Sequence, residues 1–172
     1  MLKLAGAAMI IFACGLAGIT VARNYTRRPQ QLKAFVSALQ MLETHITYAS
    51  APLPEAFDTI CRRCQNSIAP FFKKTGELLR DKTGYSASEA WDKALLEYIP
   101  QTSFTNNDLQ IFKNFGSTLG ISDRIDQEKH IRLATEQIKM ELVKAEEAAV
   151  KGSKMWRYMG FLGGLMIVLI IY

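Results

Sequence analysis

Two cysteines one turn apart, in Cys61-Arg-Arg-Cys64, are the side chains of this sequence best placed to do chemistry. A dithiol of that spacing serves redox exchange when it opens a helix behind a strand, where the helix dipole lowers a thiol pKa. Here the flanking residues repeat at helical spacing and no strand precedes them, so the pair reads as two small, half-buried side chains. Zinc would require two further ligands. The histidines, His45 and His130, have no companions at metal-ligand spacing. His130 follows Asp126 by four residues, which suits a local ion pair and a charge that varies near neutral pH. The sequence holds no P-loop, no dinucleotide-binding glycine fingerprint, no HExxH and no nucleophile motif. No catalytic, metal-ligating or cofactor-binding residue is expected, and the segment from Asp123 to Arg132 reads as structural or partner-contacting.

The elements that position these residues are helices between two apolar ends. Leu4 to Ala22 carries no charge, and neither does Tyr158 to Tyr172. At a rise of roughly 1.5 Å per residue the first run covers about 28 Å, close to a bilayer core. It is longer than a signal-peptide core, and no convincing small-x-small cleavage site precedes Arg23. The second run covers about 22 Å and spans if Lys154 and Arg157 snorkel. Trp156, Tyr158 and Tyr172 bracket it with interface-seeking rings. The expected division is therefore a transmembrane helix over 1–22, a body over 23–154 and a second transmembrane helix over 155–172. Arg23, Arg27, Arg28 and Lys33 follow the first run and Lys151, Lys154 and Arg157 precede the second, which places the body in the cytoplasm. Cys14, Gly18 and Ala22 on one helix, and Gly160 and Gly164 on the other, form small-residue stripes suited to close helix packing within the membrane.

Between residues 23 and 154 the bases exceed the acids by only about three, with no run of five or more like charges, which gives nucleic-acid binding little support. Three cysteines, one of them in the first apolar run, suit a reducing compartment. No stretch alternates with period two for long enough to form a strand. Prolines, glycines and caps divide the body into six helices, an all-α antiparallel bundle. The first starts at Arg28-Pro29 and carries Leu32, Val36, Leu39, Leu42 and Ile46 up to Ser50. Pro52 and Pro54 open the second, Pro70 breaks before the third, which ends near Gly84, and Ser86 with Glu89 boxes the fourth. Thr105 with Asp108 opens the fifth; Gly120 ends it and Ser122 caps the sixth. The expected core is Leu39, Ile46, Phe57, Ile60, Leu95, Leu109, Phe112 and Phe115.

Three blocks in order carry more than composition does: YTRRPQQLKAFVSALQMLETHITYASAPL, FGSTLGISDRIDQEKHIRLA and KMWRYMGFLGGLMIVLII. Together they make the chain closely similar to the stage III sporulation protein AB family of endospore-forming bacteria. The resemblance implies a six-helix body like the F-type inner-membrane platform domain of type II secretion and type IV pilus machines, present once where those platforms carry two. It implies a non-enzymatic place in the channel-like complex between mother cell and forespore, in the mother-cell membrane. The implied partners are the sporulation stage III ATPase, the membrane and ring proteins of the same complex, and a second copy of the chain. On the second block, Asp123, Arg124, Gln127, Lys129, His130 and Arg132 form the expected docking face, because that block is more polar than core packing requires. The alternative is a self-associating membrane tether without ATPase docking.

Overall fold

The computed structural model describes residues 26–49, 52–81, 84–121 and 123–171, all in helices and turns with no strand among them. Residues 26–44 form α1, which passes into a π turn at His45–Ala49. It is followed by α2 (Leu53–Arg63), α3 (Ala69–Arg80), α4 (Ala87–Tyr98) with a 3-10 turn at Ile99–Gln101, α5 (Asn106–Gly116) and α6 (Arg124–Ile171). The chain divides into two compact units, one of Gln30–Leu142 and one of Met1–Pro29 with Val143–Tyr172.

Local chemistry places the helix ends. Pro54 and Pro70 lie in the first turns of α2 and α3, where a missing N–H costs nothing. Ser86 Oγ accepts from Glu89 N while the Glu89 carboxylate accepts from Ser86 N, and Thr105 and Asp108 repeat this reciprocal arrangement on α5. Helix α3 stops at Arg80, one turn earlier than the glycine suggested; Gly84 then takes φ +73° in the connection. Pro29 is buried within α1 rather than at its start, since the helix is already formed at residue 26. The π turn replaces the regular helix expected up to Ser50.

In the unit Gln30–Leu142, α2 packs on α3, α3 on α4 and α4 on α5. Helix α1 is enclosed on most of its circumference: Gln31, Leu32, Ala34, Phe35, Val36, Ala38, Leu39 and Leu42 are all buried, leaving a narrow outer stripe of Lys33, Ser37 and Gln40. Phe35 is the centre of the aromatic core. It stacks on Phe112 at 4.2 Å between centroids and meets Phe71, Phe72, Phe104 and Trp91 at 5.5 to 6.2 Å. Such ring pairs add roughly 0.5–1.5 kcal/mol each beyond the area they bury. Leu39, Ile46, Phe57, Ile60, Leu95, Phe112 and Phe115 are buried as expected. Leu109 is not: it is half-exposed, and its neighbour Asp108 is fully buried because its carboxylate turns back to cap α5. Gln31 anchors the approach to that cap, its Oε1 accepting from Ser103 N at 2.9 Å.

Among the described residues no helix is long and apolar enough to cross a membrane. The span expected over 1–22, with Cys14, Gly18 and Ala22, lies outside them, as does Ser122. Gly160 and Gly164 fall on the far part of α6, at positions whose surroundings are likewise outside the description.

Candidate docking site at the α5–α6 turn

Gly120 makes the turn. Its φ of +77° is a conformation that only glycine adopts without strain, and a Cβ there would stand 3.0 Å from Ala87 Cβ. Asp123 caps α6: its Oδ1 accepts from Asp126 N, and its carbonyl accepts from Gln127 N, both at 2.9 Å. An aspartate at this position also places negative charge at the positive end of the helix.

The six residues expected to form one docking face point in different directions. Asp123 is used as the cap. The Arg124 guanidinium reaches back to the carbonyl of Thr47 in the π turn. Arg132 also turns toward the first helix, its Nε donating to Glu43 at 2.7 Å while a terminal nitrogen lies 2.7 Å from Glu128. The Glu43 hydrogen bond, then the charge of Glu128, holds this exposed guanidinium further toward its protonated form, and Tyr48 adds to the effect. Lys129 points outward and lies 3.0 Å from Asp126, so the carboxylate expected beside His130 is engaged by lysine instead. His130 is half-buried and turns the other way, into a cleft of about 200 Å³ between α5 and α6 whose wall includes Ile111, Phe115 and Leu133. Gln127 is half-buried near the cap. The separation follows from the helix itself: four-residue steps keep Arg124, Glu128 and Arg132 on one side, while Lys129 and His130 fall roughly 100° and 200° further round from Glu128.

Sequence reasoning passed over three apolar residues here. Tyr48, Ile121 and Ile125 are 83%, 78% and 66% exposed, unusual for side chains of that size. A signal for Ile121 was present, since it lies in the turn after Gly120, outside both flanking apolar stripes. Tyr48 carried one too, since it lies two residues past Ile46, roughly 200° round a helix from the apolar stripe.

The dithiol occupies the opposite kind of environment from a reactive one. Cys64 caps the C-terminus of α2, its N–H donating to the Ile60 carbonyl at 2.8 Å, where the helix dipole disfavours a thiolate. Burial first, and Cys61 second, push its thiol up to about 11. Among the described residues no three or more histidines, cysteines and acids converge where they could hold a metal ion.

Comparison with known proteins agrees along the whole chain. The family model for stage III sporulation protein AB matches residues 3–172. Stage III sporulation protein AB of Bacillus subtilis (strain 168) is 37% identical over 171 residues, 99% of each chain. A solved structure of stage III sporulation protein AB superposes with a TM-score of 0.67 at 35% identity, covering 72% of this chain and 97% of that one.

Proposed function

The chain belongs to the stage III sporulation protein AB family, and from that premise we propose that it is a non-enzymatic membrane platform of the mother cell–forespore channel complex. In this reading, the segments 1–22 and 155–172 cross the mother-cell membrane, and the helical body between them works in the mother-cell cytoplasm. The body links the stage III ATPase to the membrane and ring proteins by contact alone. The observation that carries this reading is the α5–α6 turn: a region fixed to α1 by Arg124 and Arg132 that still presents large apolar side chains to solvent. Exposure of that kind marks an interaction surface more often than a folding requirement.

Co-purification tests it. Full-length protein extracted in mild detergent should retain the ATPase expressed with it, and the complex should survive size-exclusion chromatography. A well-folded platform that never retains the ATPase would favour the second reading, a self-associating tether. That reading has its own support in Leu133 and Met140, large apolar side chains of α6 that are 58% and 59% exposed.

A further inference from the structure

We propose that Tyr48 of one copy of this chain enters the cleft between α5 and α6 of the next, so that the cleft is a site completed by a second copy. The cleft holds about 200 Å³, below the roughly 300–1,000 Å³ of pockets that take a small-molecule ligand, so it admits one large side chain. Ile111, Phe115, Leu133 and Ala134 give it an apolar wall, and Asn114, Thr118, His130 and Gln137 line the rest. That lining holds no lysine, arginine, aspartate or glutamate, so a carboxylate or phosphate would lose its hydration there without a countercharge. Asn114 Oδ1 accepts from Gln110 Nε2 at 2.9 Å, and the Thr118 hydroxyl donates to the Phe115 carbonyl at 2.7 Å. The His130 imidazole and the Gln137 amide bring further hydrogen-bonding groups to the same space. An occupant suited to this lining is uncharged, mostly apolar and tipped with a hydroxyl, which describes tyrosine.

The chain presents such a side chain at the matching height. Tyr48 is 83% exposed, and the other large apolar side chains exposed in the unit Gln30–Leu142, Leu96, Ile121, Ile125, Leu133 and Met140, have no polar tip. Glu43 meets Arg132 at 2.7 Å and Thr47 meets Arg124, so α1 runs antiparallel beside α6. From the level of Glu43 and Arg132, Tyr48 lies five residues on along α1 and His130 two residues back along α6, in the same direction. At 1.5 Å per residue the two differ in height by only about 5 Å. They lie on different sides of α6, however. Tyr48 is on the side of Arg132, whose charge it influences, whereas His130 turns toward α5. The tyrosine is therefore placed for a neighbour's cleft and not its own, and a rotation about an axis parallel to α6 brings the two together. Knob and hole on different sides make the contact heterologous, which closes into a ring or runs on as an open chain. This inference holds whether or not the body also retains the ATPase.

Sedimentation equilibrium of full-length protein in a density-matched detergent tests it. The parent should assemble beyond dimers as its concentration rises, or stop at one closed ring. Tyr48→Ala removes the knob, and Asn114→Trp fills the cleft from its exposed rim. Each should self-associate about 30-fold more weakly, the loss expected of one hot-spot residue. Mixed in equal amounts, the two variants should regain parental affinity yet stop at dimers, because one sound knob then meets one sound cleft. Leu96→Ala, at an exposed site on α4, should assemble as the parent does. A parent that stays monomeric overturns the proposal. So does a folded Tyr48→Ala variant that assembles like the parent, or a mixture that associates no more tightly than its components. Should either variant lose helicity, photo-reactive azidophenylalanine in place of Tyr48 gives the second measurement. Cross-links to residues 111–118 or 130–137 of a second, isotopically labelled copy support the proposal. Cross-links confined to the same copy, to detergent or to other segments overturn it.

Discussion

Trp91 lies so close to Gly116 that a Cβ on the glycine would stand 2.2 Å from the indole Cδ1. The indole has nowhere to retreat. Its Nε1 donates to the Phe112 carbonyl at 2.9 Å, and its ring meets Phe71 and Phe115 edge-on. This contact fixes how α5 sits on α4, and so where the α5–α6 turn begins. Gly116→Ala should therefore cost about 2–3 kcal/mol, at the upper end of ordinary overpacking, read as a lowered urea midpoint by circular dichroism at 222 nm. Parental stability would mean that α4 and α5 separate more easily than this packing suggests.

Thr135 offers the opposite change. It is 4% exposed and its hydroxyl oxygen has no hydrogen-bond partner among the described residues. Thr135→Val keeps the shape and removes a buried polar atom, so it should stabilise by about 1 kcal/mol. A thermal midpoint that falls would show that the hydroxyl is satisfied in solution.

Gly120→Ala should destabilise by about 1–2 kcal/mol, from the left-handed backbone together with the close Ala87 Cβ. Gly120→Asn should cost less of the backbone strain, because asparagine tolerates positive φ better. Denaturation midpoints of the two variants, compared with the parent, separate conformation from crowding.

One contact carries a pH signature. Asp58 and Arg80 form a bidentate pair between α2 and α3, and the hydrogen bond from Arg80 holds the Asp58 carboxyl below its ordinary range. A depressed folded-state pKa contributes stability above the unfolded value of about 3.9, and that contribution disappears as pH falls through the folded value. Asp58→Asn should then lower the thermal midpoint slightly at pH 7 and approach the parent near pH 3. The effect is small because both side chains are partly exposed. A gap between the two proteins that widens toward acid would contradict the pairing.

The topology proposed above has its own check. In a cysteine-free background, single cysteines at positions 2 and 172 should react with an impermeant maleimide on intact cells. One at Lys73, whose side chain is 68% exposed, should react only after permeabilisation. Labelling of position 73 in intact cells would place the body on the wrong side of the membrane.

Helix ends were legible in the sequence because they are set by local chemistry: Ser86 with Glu89, Thr105 with Asp108, and Gly120 act within four residues of themselves. Phe35 was not. A helix enclosed on most sides has no single apolar stripe, so the residue at the centre of the core does not stand out by period. Asp108 was recognised as a cap, but its burial was not, since that depends on how α5 packs. The six polar residues of the expected docking face stood out by polarity and are divided by geometry, because neighbours in a helical sequence look outward in different directions.

The central place of α1 has a consequence for biosynthesis. Ribosomes release α1 before any helix that covers it, and the rings that enclose Phe35 arrive as much as 77 positions later, with Phe112. At about 5–20 residues per second that delay lasts several seconds, during which a nearly all-round greasy helix has no shelter. The yield of folded protein should therefore depend on how long that helix stays uncovered during synthesis more than on the strength of the finished core.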